Sequence, residues 1–313
     1  MGLVHSSILN ALPHVKLTAV CEKSRMTRRF FKKMFKNACL TDDVEKLSSL
    51  DLDAAYVTTP IPSHFAIVNL LYSRGIVRSV FVEKTLASNY EQARELGTLA
   101  HHFGGTNMVG YTRRFAVTFK KAKTLLAEDA IGELSSFKAY AYSSDFAGSG
   151  EGKIGGARGG VLADLGCHAV DLALWFFGDL EVETAKIGSS PDGNSENAVH
   201  FKVTTNDLEG EFNVSWCMPN YRMPEVGFEI KGSKGTLEVT DDVVQLKPRS
   251  GKPEHWYRHD LGDNVYFWLG GPEYFREDEY FVNSVLEERQ AEPSFNTAAM
   301  TDQILAKVKR RTE

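Results

Sequence analysis

Ser79-Val80-Phe81-Val82-Glu83, followed at once by Lys84-Thr85, decides how the first half of the chain is read. It is one of several short apolar runs that alternate with amphipathic helical segments, and it reads as a strand. Working outward, Tyr90–Phe103 has helical periodicity and Asn107–Tyr111 reads as a further strand. Upstream, Val15–Cys21 and Ala54–Thr58 read as strands, Met26–Lys36 and His64–Ser73 as helices. Strands alternating with amphipathic helices imply βαβ units and a doubly wound parallel sheet. Ligands of such sheets gather beyond the carboxyl ends of the strands. That rule puts Glu22, Thr59 and Pro60 of the Thr58–Pro62 turn, Glu83–Thr85 and Tyr111–Arg114 around one crevice, with His64 opening the next helix.

The opening residues, Met1-Gly2-Leu3-Val4-His5, lead directly into a helical segment. A dinucleotide-binding βαβ unit has a strand, a G-x-G-x-x-G loop and, roughly 20 residues on, an acid that holds the adenosine ribose. Gly2 and Glu22 have that separation. The expectation is that Gly2 is the last fingerprint glycine, with the strand and the first two glycines absent from this sequence. The alternative is a domain that starts at Met1 and binds no dinucleotide. Glu22 favours ribose hydroxyls over a 2′-phosphate, whereas Ser24 and Arg25 can hold that phosphate. The cofactor expected is therefore NAD or NADP, with the balance slightly toward NAD. Arg25 fits equally well as a charge on a solvated helix face.

After Gly178 the pattern changes to strands separated by turns: Asn197–Thr205, Leu208–Met218, Glu225–Lys231, Thr236–Val239 and Val243–Lys247. With Leu134–Ser144 and Glu181–Ile187 they make a large, mostly antiparallel sheet. The helices Val117–Glu128 and Val161–Phe177 can cover one face and leave the other for a partner. Helical segments Glu273–Arg289 and Thr297–Lys309 close the chain. The division expected is a Rossmann-type α/β domain over 1–113 and an α+β domain for substrate binding and oligomerisation over 114–313.

The 313 residues carry 36 Lys plus Arg against 41 Asp plus Glu, a net charge of −5 that offers no general field for nucleic acid. Cys21, Cys39, Cys167 and Cys217 are far apart, so neither a zinc site nor a disulfide framework is implied, and reduced thiols of a cytoplasmic protein fit best. No stretch reaches the roughly 18 apolar residues of a membrane span and no signal sequence is evident.

Gly159-Gly160-Val161-Leu162-Ala163-Asp164-Leu165-Gly166-Cys167-His168-Ala169-Val170-Asp171 carries the most chemistry. On a helix, Asp164, His168 and Asp171 share one face at i, i+4 and i+7. A carboxylate and an imidazole so arranged can handle a proton. They equally fit a solvated acid at a helix start and a core histidine.

Three segments together resemble the glucose–fructose oxidoreductase / inositol dehydrogenase (Gfo/Idh/MocA) family of NAD(P)-dependent sugar and polyol oxidoreductases. Val82-Glu83-Lys84-Thr85-Leu86-Ala87 is similar to its E-K-P-L-A loop, and Val109-Gly110-Tyr111-Thr112-Arg113-Arg114-Phe115 to its G-Y-N-R-R-F strand end. Gly159–Asp171 is similar to G-G-x-L-x-D-x-G-x-H-x-x-D. The resemblance implies hydride transfer between nicotinamide and a hydroxyl-bearing carbon. It implies His168 as the base, Lys84 beside the reacting oxygen and the nicotinamide ribose, and Asp164 holding the substrate hydroxyl or orienting the imidazole. It also implies no metal and a homodimer or homotetramer through the C-terminal sheet. Arg113, Arg114, Tyr142 and Arg158 lie on segments expected to approach the substrate. Thr85 and Thr112 depart from the family's proline and asparagine. His255-Trp256-Tyr257-Arg258-His259 fits a ligand or subunit contact and, equally, a strand edge. Two other functions fit the same motifs, an NAD-dependent glycosidase and a non-catalytic nicotinamide or sugar sensor.

Overall fold

The structure, a computed structural model, describes residues 1–145, 159–189, 196–205 and 208–311. They gather into two units, Met1–Gly110 with Val265–Ala299, and Tyr111–Asn264 with Met300–Glu313.

The first unit begins with α1 (Gly2–Ala11), β1 (Ala19–Cys21), α2 (Arg25–Met34) and β2 (Cys39–Thr41). It continues through β3 (Ala54–Val57), α3 (His64–Ser73), β4 (Ser79–Glu83), α4 (Tyr90–Phe103) and β5 (Asn107–Gly110). All five residues of β4 are buried, as a central parallel strand requires. It pairs in parallel with β3 on one side and β5 on the other, Val57 opposite Val82 and Glu83 opposite Gly110. β1 pairs only with β2, also in parallel, so the Rossmann-like layer consists of a two-stranded and a three-stranded sheet. The strand expected from Val15 starts at Ala19, and β2 has no apolar run to announce it.

Residues 265–299, assigned by sequence to the second domain, cluster with this unit instead, and the boundary falls at Gly110. The cause is apolar packing. Phe275 of α7 (Pro272–Leu286) joins Ile8 and Leu9 of α1, and Leu12 just past its end, in one buried cluster. Phe281 meets the rings of Tyr56 and Phe81 edge-on at 5.4 and 5.7 Å. Each such fully buried side chain stabilises by about 1.5–3 kcal/mol. Backbone bonds add direction: Val109 N–H donates to Pro293 O at 2.9 Å, and Phe295 N–H donates to Asn107 Oδ1 at 2.7 Å.

The second unit contains α5 (Val117–Ala127), β6 (Leu134–Tyr142), α6 (Cys167–Phe177), β7 (Glu181–Ser189), β8 (Glu196–Thr205) and β9 (Leu208–Ser215). β10 (Glu225–Gly232), β11 (Gly235–Thr240), β12 (Val243–Pro248) and β13 (Glu254–Tyr257) follow, with the part of α8 (Phe295–Arg310) from Met300 onward. The eight strands order as β13-β12-β11-β10-β6-β9-β8-β7, and only β6–β9 is parallel. Phe137, Ala139 and Ala141 alternate along β6 toward a buried face. That face carries α6: Phe177 stacks on Phe137 at 4.5 Å and Phe176 meets Phe228 at 5.4 Å. The His255–His259 stretch is the edge strand β13 and the turn after it. Among the described residues, no helix is long and apolar enough to cross a membrane.

Candidate functional site

Lys84 follows the last residue of β4, and its bond to Thr85 is cis. Its surroundings are set by Glu83, whose buried carboxylate has two partners. Oε1 lies 2.8 Å from His5 Nε2, and Oε2 accepts the Lys84 backbone N–H at 3.2 Å. The other ring nitrogen of His5 lies 2.8 Å from Asp278 Oδ1 on α7. Burial by itself would lower the pKa of His5, but its hydrogen bonds and attraction to Asp278 and Glu83 push it up to about 9. As a cation the imidazole donates through both nitrogens. The two carboxylates respond in opposite directions. Burial works to raise Glu83, but His5 and the Lys84 charge overcome it and hold the acid below its ordinary value. Burial wins at Asp278, which is pushed up despite His5, with Glu83 adding repulsion. The difference lies in the charges around each acid: beyond His5, Glu83 is attracted by Lys84 and the N-terminal ammonium, whereas Asp278 is repelled by Glu83.

His64 braces the same loop from the other side. Fully buried, its Nδ1 lies 3.0 Å from Thr85 O and its Nε2 lies 2.7 Å from Thr59 O. Ser63 Oγ donates to Thr59 Oγ1 at 2.7 Å. Thr59, His64, Glu83, Lys84 and Thr85 are thus one hydrogen-bonded group at the carboxyl ends of β3 and β4. Pro60 is exposed at the start of the 3-10 turn Ile61–Ser63. Gly2 opens α1, where a Cβ would stand 3.1 Å from Thr58 Oγ1, beside the end of β3.

Glu22, Ser24 and Arg25 form a second group after β1. Glu22 N–H donates to Thr41 O at 2.9 Å, and its Oε1 accepts the Ser24 N–H at 2.7 Å. Ser24 caps α2 through the Thr27 N–H, and Arg25 is exposed on its first turn. A dinucleotide fits this donor set. The first turn of α1 has no side-chain cap to compete for its N–H groups, and an acid follows the next strand.

In the second unit, Gly159 and Gly160 have φ of +79° and +90°. The φ of Gly160 is what requires glycine at the turn that starts the Asp164 segment, and a Cβ there would also push against the Glu196 carboxylate, the end of a flexible side chain. Leu162–Gly166 is then a single π-helical turn before α6. The wider i→i+5 turn changes the offset between Asp164 and His168 from the α-helical one that the i, i+4 spacing implied. Asp164 is half-buried and His168 buried. The His168 ring meets Tyr111 edge-on at 6.1 Å. Burial, with the nearby Asp302, Cys167 and Asp171, keeps the Tyr111 hydroxyl protonated far above its ordinary range.

Several substrate-facing expectations find other partners. Arg113 donates through Nε to Asp241 Oδ1 at 3.0 Å and through Nη2 to Asp241 Oδ2 and Pro224 O, both at 3.2 Å. Arg114 is committed to Asp171, which makes Asp171 a structural acid: Nε–Oδ2 is 2.8 Å and Nη2–Oδ1 is 2.7 Å. Tyr142 stacks on Tyr140 at 4.8 Å, on the sheet face opposite the buried Ala141 and Phe137 that α6 covers. Arg158 lies outside the described residues. His5 and Asp278 are the site residues that sequence reasoning missed. A histidine among apolar residues in α1 was the one available signal, and Asp278, 273 positions away, gave none.

Residues 1–111 match the family described as "Oxidoreductase family, NAD-binding Rossmann fold", and residues 119–238 match "GFO/IDH/MocA C-terminal domain". Trans-1,2-dihydrobenzene-1,2-diol dehydrogenase of Xenopus laevis is 31% identical over 41% of this chain and 38% of its own length. The chain likewise spans 40% of the length of a Salmonella typhimurium relative that is 34% identical. The scyllo-inositol 2-dehydrogenase (NADP(+)) IolU of Bacillus subtilis is 25% identical over 95% of this chain and 89% of its own. Among solved structures, levoglucosan dehydrogenase in complex with NADH and levoglucosan superposes with a TM-score of 0.87 at 18% identity, covering 100% of this chain and 94% of that one.

Proposed function

Because the chain belongs to the Gfo/Idh/MocA oxidoreductase family, we propose that it transfers a hydride between NAD(P) and a hydroxyl-bearing carbon of a sugar, polyol or nucleotide sugar. The observation that carries the proposal is Lys84, at the carboxyl end of the buried strand β4, with Glu83 held by His5 and Thr85 held by His64. A lysine braced on both flanks is presented in one place, as catalysis requires. IolU is a scyllo-inositol 2-dehydrogenase, and the levoglucosan dehydrogenase complex holds NADH and levoglucosan. Both support a polyhydroxylated substrate.

Gly2, Glu22, Ser24, Arg25, Thr59, Pro60, His64, Glu83 and Lys84 are the residues proposed to hold the cofactor. When bound, the nicotinamide supplies or accepts the hydride. His168 takes the proton from the carbinol hydroxyl on oxidation and returns it on reduction. The Lys84 ammonium donates to the reacting oxygen and stabilises the charge that develops there. Asp164 holds a substrate hydroxyl or orients the imidazole, and Arg113, Tyr142 and Arg158 are proposed as further substrate contacts. We place the enzyme in the cytoplasm as a homodimer or homotetramer joined through the open face of the eight-stranded sheet.

The test follows reduced-nicotinamide absorbance with NAD and NADP on a panel of polyols, sugars and nucleotide sugars. Turnover that falls at least about 10²-fold in H168A and in K84A supports the assignment. Turnover unchanged in H168A removes His168 as the base. Release of an aglycone without net reduction points to the glycosidase, and cofactor binding with no turnover of any substrate points to a sensor.

A further inference from the structure

Glu83 places the backbone of Lys84, and Glu83 is itself placed from elsewhere in the unit. The His5 ring is buried between two carboxylates at 2.8 Å each and enclosed by the rings of Phe81 at 5.1 Å, Tyr56 at 5.6 Å and Tyr274 at 6.2 Å. The titratable groups facing it are Glu83 from β4, Asp278 and Tyr274 from α7, and Tyr56 from β3. A buried carboxylate with no cation would take up a proton and turn from acceptor to donor. It could then no longer accept at both oxygens, and the Lys84 N–H on Oε2 would lose a dependable acceptor.

We infer that His5 and Asp278 are positioning residues for Lys84. Asp278 fixes the imidazole, the imidazole fixes the Glu83 carboxylate, and the carboxylate holds the Lys84 N–H and with it the direction in which the ammonium is presented. The inference rests on the proposed role of Lys84 at the reacting oxygen. A purely structural ion triad has the same geometry, so the two must be separated by how their losses combine.

The experiment compares H5Q, D278N, K84A and the doubles H5Q/K84A and D278N/K84A, with scyllo-inositol plus NADP and levoglucosan plus NAD as probes. Misplacing a reacting group by about 1 Å costs on the order of 10²-fold in rate. H5Q and D278N are therefore expected to lose up to about 10²-fold in kcat. In the doubles that loss should vanish, because a residue that acts only through Lys84 has nothing left to position. Losses that add in both doubles overturn the inference. A second measurement needs no substrate. After reductive methylation with isotopically labelled formaldehyde, the Lys84 resonance, identified by its absence in K84A, should move in both H5Q and D278N. A resonance unmoved in both overturns the inference. D278N, which keeps shape and removes one charge, carries the test where H5Q does not fold. If K84A leaves turnover intact, the proposed role of Lys84 falls, and the resonance still decides whether His5 positions it.

Discussion

Arg114 lays two guanidinium nitrogens on the two carboxylate oxygens of Asp171, at 2.8 and 2.7 Å, with the side chains only 8% and 1% exposed. Such a pair adds little over an apolar replacement, but removing one partner leaves the other charge buried alone. D171A is expected to cost about 3–5 kcal/mol in urea unfolding. The double variant R114L/D171L should regain most of it. A D171A midpoint within experimental error of wild type would show that the pair does not anchor α6.

The charge on His5 ties stability to pH. The buried imidazole keeps its proton up to about pH 9, whereas in the unfolded chain a histidine loses it near pH 6.5. Between these values the folded state binds more protons, so the contribution of His5 is complete below about pH 6.5 and is lost as pH rises toward 9. Glu83, held low, works at the other end, its contribution being present above the ordinary carboxylate range and lost on acidification. Asp278, held high, offsets part of the Glu83 effect, since its own contribution is greatest in acid. Urea unfolding at pH 6.5 and pH 9 should differ by on the order of 3 kcal/mol in wild type and far less in H5Q. A wild-type midpoint that stays flat over this range refutes the coupling.

Much of this architecture is legible because periodicity is local. His64–Ser73 and Tyr90–Phe103 are the helices their sequences imply, to the residue, and β4 declares itself by an unbroken apolar run. What could not be read is set by partners distant in sequence. Phe275 and Phe281 draw α7 to α1, β3 and β4, yet their segment has the same helical pattern it would have in the other unit. Arg114 looks like a free cation until Asp171, 57 residues on, takes its fork. The π-helical turn before His168 escapes an i, i+4 count because that count assumes an α-helix.

His64 joins two loops through carbonyl oxygens that no other histidine nitrogen reaches among the described residues, Thr59 O at 2.7 Å and Thr85 O at 3.0 Å. H64A removes both contacts, at the buried Thr85 carbonyl and the part-buried Thr59 carbonyl, and a carbonyl left buried without its donor costs about 1–3 kcal/mol. Part of the loss should appear as weaker cofactor binding, because Thr59 and the Lys84–Thr85 segment are both proposed cofactor contacts. NADH fluorescence titration is expected to give a Kd raised about tenfold, or about 1.4 kcal/mol. An unchanged Kd with a lowered melting temperature would make His64 a purely structural brace.

Gly160 sets where the helical segment of Asp164 and His168 begins, and a side chain there meets two separate obstacles, one in the backbone and one in a movable neighbour. Its φ of +90° is unfavourable for an L side chain, and a Cβ would occupy the space of the Glu196 carboxylate. The backbone cost is about 1–3 kcal/mol, so G160A should melt several degrees lower, each kcal/mol being worth roughly 2–4 °C in a domain of this size. Turnover should fall as well, since the turn feeds directly into the π-helical segment that carries Asp164. The two causes separate in G160A/E196A. Shortening Glu196 removes the steric obstacle and leaves the φ penalty, so the double variant should recover part of the loss and never all of it. Full recovery would mean that the left-handed backbone at Gly160 costs nothing, and no recovery that Glu196 can move aside freely.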